Sequence, residues 1–274
     1  MEKAKFSVLM SVYQKEQPDF LRQSLESIIS QTVPPHELIV VEDGPLTESL
    51  LGVLDWFEQR FPSLRRIRLE QNQGLGAALN AGLSACSYPL VARMDSDDIA
   101  VPDRFALQLE AFEKRPEMAV LGGQIAEFSE DPARPERERH VPLKKGEIYR
   151  YIKKRNPMNH MTVMFRKDVV QKAGGYRPFP LFEDYDLWAR LCAMGAGLYN
   201  LPQVLVLARA GNRMVARRGG ASYAKQQRAF QRSLLHLGLI SPFQYCLNCC
   251  VRTVVSVMPQ HMRAWFYNCI LRRK

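Results

Sequence analysis

Three carboxylates stand within four residues at Asp95-Ser96-Asp97-Asp98, directly after the apolar run Pro89 to Met94. Burial gives no reason to gather like charges at the end of a strand. A divalent cation among them does, because it offsets their repulsion. Mg²⁺ is commonly held by one or two carboxylates together with substrate phosphate oxygens, and Mn²⁺ accepts the same oxygen-rich set. The competing reading is a helix start, with Asp98 or Asp103 capping a helix that begins near Pro102. A second acidic group, Glu183-Asp184-Tyr185-Asp186, opens a predicted helix that continues through Leu187-Trp188. Acids suit a helix N-terminus through its dipole. They also suit a general base that takes the proton of an attacking hydroxyl. Asp43 precedes Gly44, a common turn pair, yet a carboxylate there can also accept the imide N–H of uracil or thymine.

Weaker signals surround these. Asn72-Gln73-Gly74-Leu75-Gly76 opens a helix after a third strand, while the first strand lacks a GxGxxG turn, so a dinucleotide-binding fold is disfavoured. The glycines there suit a close approach of a helix start to a nucleotide or to the sheet. Arg217-Arg218-Gly219-Gly220 reads either as a loop closing over a diphosphate or as a solvated basic loop. His160 offers an acceptor contact or, more simply, a structural histidine.

Alternating elements must position these groups. Phe6 to Val12, Glu37 to Val41, Arg65 to Leu69 and Pro89 to Met94 read as strands. Pro18 to Gln31, the stretch holding Leu50, Leu54 and Phe57, and Gly74 to Ala85 read as helices between them. Such alternation implies parallel βαβ units, whose ligands sit beyond the carboxyl ends of the strands. Those ends carry Ser11-Val12-Tyr13, Glu42-Asp43-Gly44 and the Asp95 cluster. Further on, Glu130 to His140 reads as a polar surface loop and Met161 to Phe165 as a strand. Glu183 to Ala193 and Ser222 to Leu237 read as helices, and two apolar helices separated by Pro259 follow.

Taken in order, SVLMSVYQKE, ELIVVEDG, NQGLGAALNAGL, VARMDSDDI, NPMNHMTVMFRKDVV, AGGY and FEDYDLW resemble the family-2 glycosyltransferases of the GT-A fold, of the bacterial polysaccharide and lipopolysaccharide type. The resemblance runs from about Phe6 to about Arg218. It implies an α/β, Rossmann-like, mostly parallel sheet flanked by helices, with a catalytic domain over 1–220 and a C-terminal helical extension over 221–274. It implies an inverting transfer from a UDP- or dTDP-sugar to a hydroxyl of a glycan or lipid-linked acceptor. Asp184 would be the base, Asp97 and Asp95 would hold Mg²⁺ or Mn²⁺, and Asp43 would bind the nucleobase. Ser11, Val12, Tyr13, Glu16, Gly74, Asn80, Arg93, Ser96, Arg217 and Arg218 complete the expected donor contacts.

The chain has 274 residues, 46% of them hydrophobic, enough for a sizeable core. No apolar run approaches the roughly 20 residues of a spanning helix, and Met1 to Phe6 lacks a signal-peptide layout, so a cytoplasmic location is expected. Net charge is +10, unevenly placed: residues 1–186 hold 25 basic and 28 acidic residues, whereas 187–274 hold 13 basic and no acidic ones. That tail implies a polyanionic partner. Phe243, Leu247, Val251, Val254 and Met258 share one helical face, with Gln244, Asn248, Arg252 and Ser256 on a polar stripe. Met262, Trp265, Phe266, Cys269 and Ile270 continue the apolar surface to Arg272-Arg273-Lys274. Apolar faces with basic edges imply attachment to the inner face of an anionic cytoplasmic membrane; docking onto the catalytic domain is the alternative. Cys246, Cys249 and Cys250 have only His261 nearby, too few ligands for structural zinc. Two further classes fit the sequence less well. A nucleotidyltransferase would need a Gly-rich basic signature after the first strand, where Ser11-Val12-Tyr13-Gln14-Lys15 stands. A nucleic-acid-binding protein would need a recognisable module and would meet acidic strand ends.

Overall fold

The structure is a computed structural model and describes residues 4–210 and 220–257. The chain divides into two compact units, Met1–Arg209 and Ala210–Lys274.

The first unit begins with β1 (Phe6–Val12), buried throughout except at Ser11, and β2 (Glu37–Glu42), buried at every position. Strands covered on both faces need no polar alternation. Beside them lie β3 (Leu64–Arg68), an edge strand carrying Arg65, Arg66 and Arg68, and β4 (Leu90–Met94), fully buried. The helices between them are α1 (Pro18–Ile29), α2 (Glu48–Arg60) and α3 (Leu75–Ala85). Pro18 sits at the first turn of α1, where a missing N–H costs nothing. Thr47 caps α2 by accepting the Leu50 N–H. Gly82 brings α3 unusually close to the sheet: a Cβ there would lie 2.3 Å from Leu9 Cδ1 and 2.6 Å from Val41 Cγ2.

The sheet runs β3-β2-β1-β4, then β8 (Met164–Arg166), β6 (Met118–Phe128), β9 (Gly197–Arg209) and β5 (Ile99–Ala100), with β7 (Arg137–Arg139) added beside β6. Its first four strands are parallel, as expected from the alternating pattern. The order reverses around β1, so the crevice between the ends of β1 and β4 is the switch point where open α/β sheets take ligands. The second half is mixed. Strands β5 to β9 combine one parallel pair, β6–β9, with antiparallel ones. Thus the segment 130–140, expected to be loop, carries β7 paired to β6, and the first part of the strand expected over 161–165 is a 3-10 turn, His160–Thr162. Helices α4 (Arg104–Lys114), α5 (Lys145–Tyr151), α6 (Lys167–Lys172) and α7 (Glu183–Ala193) complete this unit.

The second unit contains α8 (Gly220–His236) and α9 (Pro242–Val257). Gly238, at φ 69°, ends the first, with the Leu239 N–H returning to the Leu234 carbonyl. Ser241 and Gln244 cap the second reciprocally: Gln244 N donates to Ser241 Oγ at 3.2 Å and Ser241 N to Gln244 Oε1 at 3.1 Å.

Candidate active site

β4 ends in the acidic cluster. One oxygen from each of Asp95, Asp97 and Asp98 lies within 4.8 Å of the others. Neighbouring elements fix the loop: Ser24 of α1 donates to the Asp95 carbonyl at 2.8 Å, and Ser96 Oγ donates to Glu16 Oε2 at 2.5 Å. The Glu16 contact ties the turn after β1 to the loop after β4 across the switch point. Asp98 is buried and accepts the Arg209 N–H at 2.8 Å from the end of β9. Capping does not account for the group: Asp103 stands at the N-cap position of α4 without a side-chain hydrogen bond, and Asp98 is engaged elsewhere.

Burial, then the charges of Asp95 and Glu16, push the Asp97 carboxyl up to about 7. Asp98 is likewise raised well above the usual range, by burial and then by Asp95 and Asp97. The cluster therefore binds protons more readily than isolated carboxylates do, and a divalent cation would compete with those protons. The donor set fits such a cation: hard oxygens, converging, on half-buried Asp95 and Asp97.

Arg93 lies behind this cluster, 2% exposed, and pairs with Asp95. Its Nε and Nη1 are buried and meet no hydrogen-bond partner. Arg104 Nη2 donates to the Arg93 carbonyl at 2.6 Å and anchors the strand end. The Arg93 charge is felt by Asp95 and Asp98 and also by Glu183 and Asp184. It thus lies within electrostatic reach of both the acidic cluster and the start of α7.

That helix start separates its acids by role. Asp186 is fully buried and bonded to Arg190 Nε at 2.8 Å, and Arg190 reaches the Ala173 and Gly175 carbonyls, so this pair locks the Gly174-Gly175 turn. Asp184 is half-buried and accepts Asn156 Nδ2 at 2.5 Å and the Tyr185 N–H at 2.7 Å. Burial raises its carboxyl above the ordinary value, against the opposing effects of those two bonds and Arg93. Glu183 is raised too, mainly by burial. His160 Nε2 bonds Tyr176 Oη at 3.0 Å and its ring meets Trp188 edge-on. Burial and then Arg93 hold it well below the usual histidine range, so it is a neutral, structural ring.

The expected donor residues divide similarly. Ser11, Val12, Tyr13 and Glu16 lie at the end of β1, and the Val12 carbonyl accepts the Asp43 N–H at 2.8 Å. Asp43 is buried and its carboxylate receives Asn72 Nδ2, Gln73 N and Gly74 N at 2.9, 2.7 and 3.1 Å. It therefore shapes the loop before α3, with about one of its roughly four lone-pair directions left for a ligand. Gly74, at φ 85°, begins α3, and Gly76 lies against Glu183 and Arg177, where a Cβ would come within 3.3 Å of Glu183 Cγ. Asn80 faces elsewhere than expected: both ends of its amide clamp the Tyr176 backbone, at 2.8 and 2.5 Å. Arg217 and Arg218 lie outside the described residues.

Two neighbours escaped sequence reasoning. Arg209 donates through Nε to the Asp97 carbonyl at 3.2 Å and lies 3.7 Å over the Phe20 ring. A lone cation ending the apolar run Val204–Ala208 was its only signal. Asn156, which orients Asp184, opens the segment NPMNHMTVMFRKDVV, but sequence reasoning gave it no role of its own.

Residues 7–172 match the family model for glycosyl transferase family 2. The chain belongs to that family. Similar relatives include the amylovoran biosynthesis glycosyltransferase AmsE of Erwinia amylovora, 41% identical, covering 96% of this chain and 97% of the relative. Another is an Escherichia coli UDP-Gal:alpha-D-GlcNAc-diphosphoundecaprenol beta-1,3-galactosyltransferase, 38% identical, covering 98% and 97%. Among solved structures, a mannosyltransferase from Pyrobaculum calidifontis in complex with GDP-Man and Mn²⁺ shares the fold at TM-score 0.64 and 13% identity, covering 99% of this chain and 81% of that one. The family-2 enzyme is thus a glycosyltransferase with the GT-A architecture expected from its motifs. Among its described residues, no helix is long and apolar enough to cross a membrane.

Proposed function

We propose that this glycosyltransferase moves a sugar from a UDP- or dTDP-sugar onto a hydroxyl of a glycan or lipid-linked acceptor, in one displacement that inverts the anomeric centre. The observation that carries the reading is the pairing, through Arg93, of the converging Asp95, Asp97 and Asp98 carboxylates with the half-buried base Asp184. The uridine donor and the lipid diphosphate acceptor appear in the name of the E. coli relative. The polysaccharide setting appears in that of AmsE.

Asp184 accepts the acceptor's hydroxyl proton as its oxygen attacks the anomeric carbon and the bond to the donor phosphate breaks. Asn156 and the Tyr185 N–H hold the carboxylate in place, and burial raises its basicity toward the working pH. A divalent cation on Asp97 and Asp95 would supply Lewis-acid charge for the leaving diphosphate. The two unpartnered nitrogens of Arg93, Nε and Nη1, offer hydrogen bonds to donor oxygens, since a buried guanidinium without partners bears a desolvation cost. Asp43 keeps one acceptor direction for the base, and Arg217 and Arg218 would offer the diphosphate charge-assisted hydrogen bonds. The enzyme works on the cytoplasmic face of an anionic membrane, where its acceptor resides.

The experiment is a donor panel of UDP-, dTDP- and GDP-sugars with Mg²⁺ or Mn²⁺ and a GlcNAc-diphospho-lipid analogue, read by product mass and anomeric NMR coupling. Transfer with inversion from a uridine or thymidine donor is expected. Retention of configuration, or full activity in EDTA, overturns the mechanism.

A further inference from the structure

The α8–α9 hairpin buries Ala224, Phe230, Leu234 and Ile240, yet polar side chains also join its two helices: Asn248 Nδ2 donates to Gln231 Oε1 at 2.8 Å, and Arg252 Nη1 reaches the Gln227 amide oxygen at 2.7 Å once that amide is turned. Gln231 and Gln227 are buried. The polar stripe Asn248–Arg252, which a helix in water would turn outward, is thus spent against α8. Phe243, Cys246, Leu247, Cys250 and Val251 are left exposed, Phe243 by 77%. Their spacing places them on one face, about 12 Å long from end to end. A contiguous exposed apolar face of this kind is what water disfavours and a binding surface covers.

We propose that this outward face of α9 lies in the headgroup layer of an anionic lipid bilayer. The inference deepens the membrane-surface part of the function proposed above and names the surface responsible. Charge decides between lipid and a second copy of the chain. The unit 210–274 carries 11 Lys and Arg and no Asp or Glu. Two such faces brought together would double an uncompensated positive charge, whereas anionic headgroups neutralise it. Lys225, Arg228 and Arg232 form an exposed basic row on α8, spaced for one face. Apolar faces of this type sink about 5–10 Å into the boundary between headgroups and acyl chains.

The test uses the full chain and sedimentable vesicles, without donor or acceptor, so that it stands apart from catalysis. Vesicles of phosphatidylethanolamine with about a third phosphatidylglycerol are compared with phosphatidylcholine. The parent should prefer the anionic vesicles and lose part of its binding at high salt. Phe243→Ser with Leu247→Ser and Val251→Ser should weaken partition by about tenfold or more. Its melting temperature should hold, since the replaced side chains are exposed. Phe243→Ser alone, at the most exposed position, carries the test should the triple variant unfold. Lys225→Gln with Arg228→Gln and Arg232→Gln should reduce the salt-sensitive part. Undiminished binding by the serine variants overturns the proposal. So does a parent without preference for anionic vesicles, or a parent dimer that the serine variants turn into monomer. Transfer to a water-soluble acceptor, assayed separately, judges the catalytic reading.

Discussion

Asp97 lies where burial and two nearby carboxylates penalise its charge, and the fold tolerates this because ionisation can be compensated at the site. Its folded pKa, about 7, stands above the ordinary 3.8. The folded protein therefore binds the proton more tightly than the unfolded chain does. Stability falls as pH rises between those two values and stays low above the upper one. In EDTA, Asp97→Asn should raise the melting temperature at pH 8 by about 2–4 °C, discounted for partial exposure, and by almost nothing at pH 4. Mn²⁺ should stabilise the parent by linkage and leave the variant unchanged; equal shifts in both would place the cation elsewhere. Asp184 behaves differently, because its ionised form is the active one. Its carboxyl is raised, so kcat/KM should climb with pH through a value above 3.8 and then level. Asp184→Asn should cut transfer by about 10²-fold or more and erase that acidic limb. Near-parental rates in the variant would transfer the role to Glu183, since Asp186 is committed to Arg190.

Elements explain which of these groups could be read beforehand. Strands β1, β2 and β4 announce themselves as unbroken apolar runs, so the acids at their ends were legible, and α7 begins at Glu183 as its acid-rich start implied. β6 was not legible: Gly122 and Gly123 interrupt its pattern, yet they are needed where Asn200 and Leu205 of β9 press in, 2.4 Å from where each Cβ would lie. β9 was hidden by Asn200 and Pro202 and by register shifts against β6. Missing β9 meant missing Arg209 at its end. Asn80 shows another limit: its position on α3 was readable, but its direction, toward Tyr176, depends on a turn 96 residues away. Gly82 offers the sharpest check at this scale. Helix propensity favours Ala there by about 1 kcal/mol. Packing opposes it, because Leu9 and Val41 occupy the place of the new Cβ. Overpacking costs about 1–3 kcal/mol, so Gly82→Ala should lower stability in urea denaturation. A more stable variant would mean that α3 can lift from the sheet without cost.

Across the whole molecule, charge and chemistry are segregated. The unit 1–209 holds 28 acidic and 27 basic residues, all the acids of the candidate site among them, while 210–274 holds only bases. Donor diphosphate is itself anionic, and Arg93, paired to Asp95 of the acidic cluster, keeps two buried nitrogens without a hydrogen-bond partner. The expected donor contacts of Arg217 and Arg218 would add positive charge from beyond Arg209, where Arg213 is the first base in the chain. The planar guanidinium binds phosphate through two parallel hydrogen bonds, each charge-assisted. Arg217→Ala with Arg218→Ala should therefore raise the donor KM by about tenfold, equivalent to roughly 1.4 kcal/mol of lost binding. Vesicle attachment should weaken only slightly, since nine of the eleven bases and the whole apolar face of α9 remain. Steady-state kinetics with the donor varied, run beside vesicle sedimentation of the same preparation, separates the two roles. A donor KM that stays put while vesicle binding collapses would assign both arginines to the lipid surface and leave the diphosphate to Arg93 and the cation.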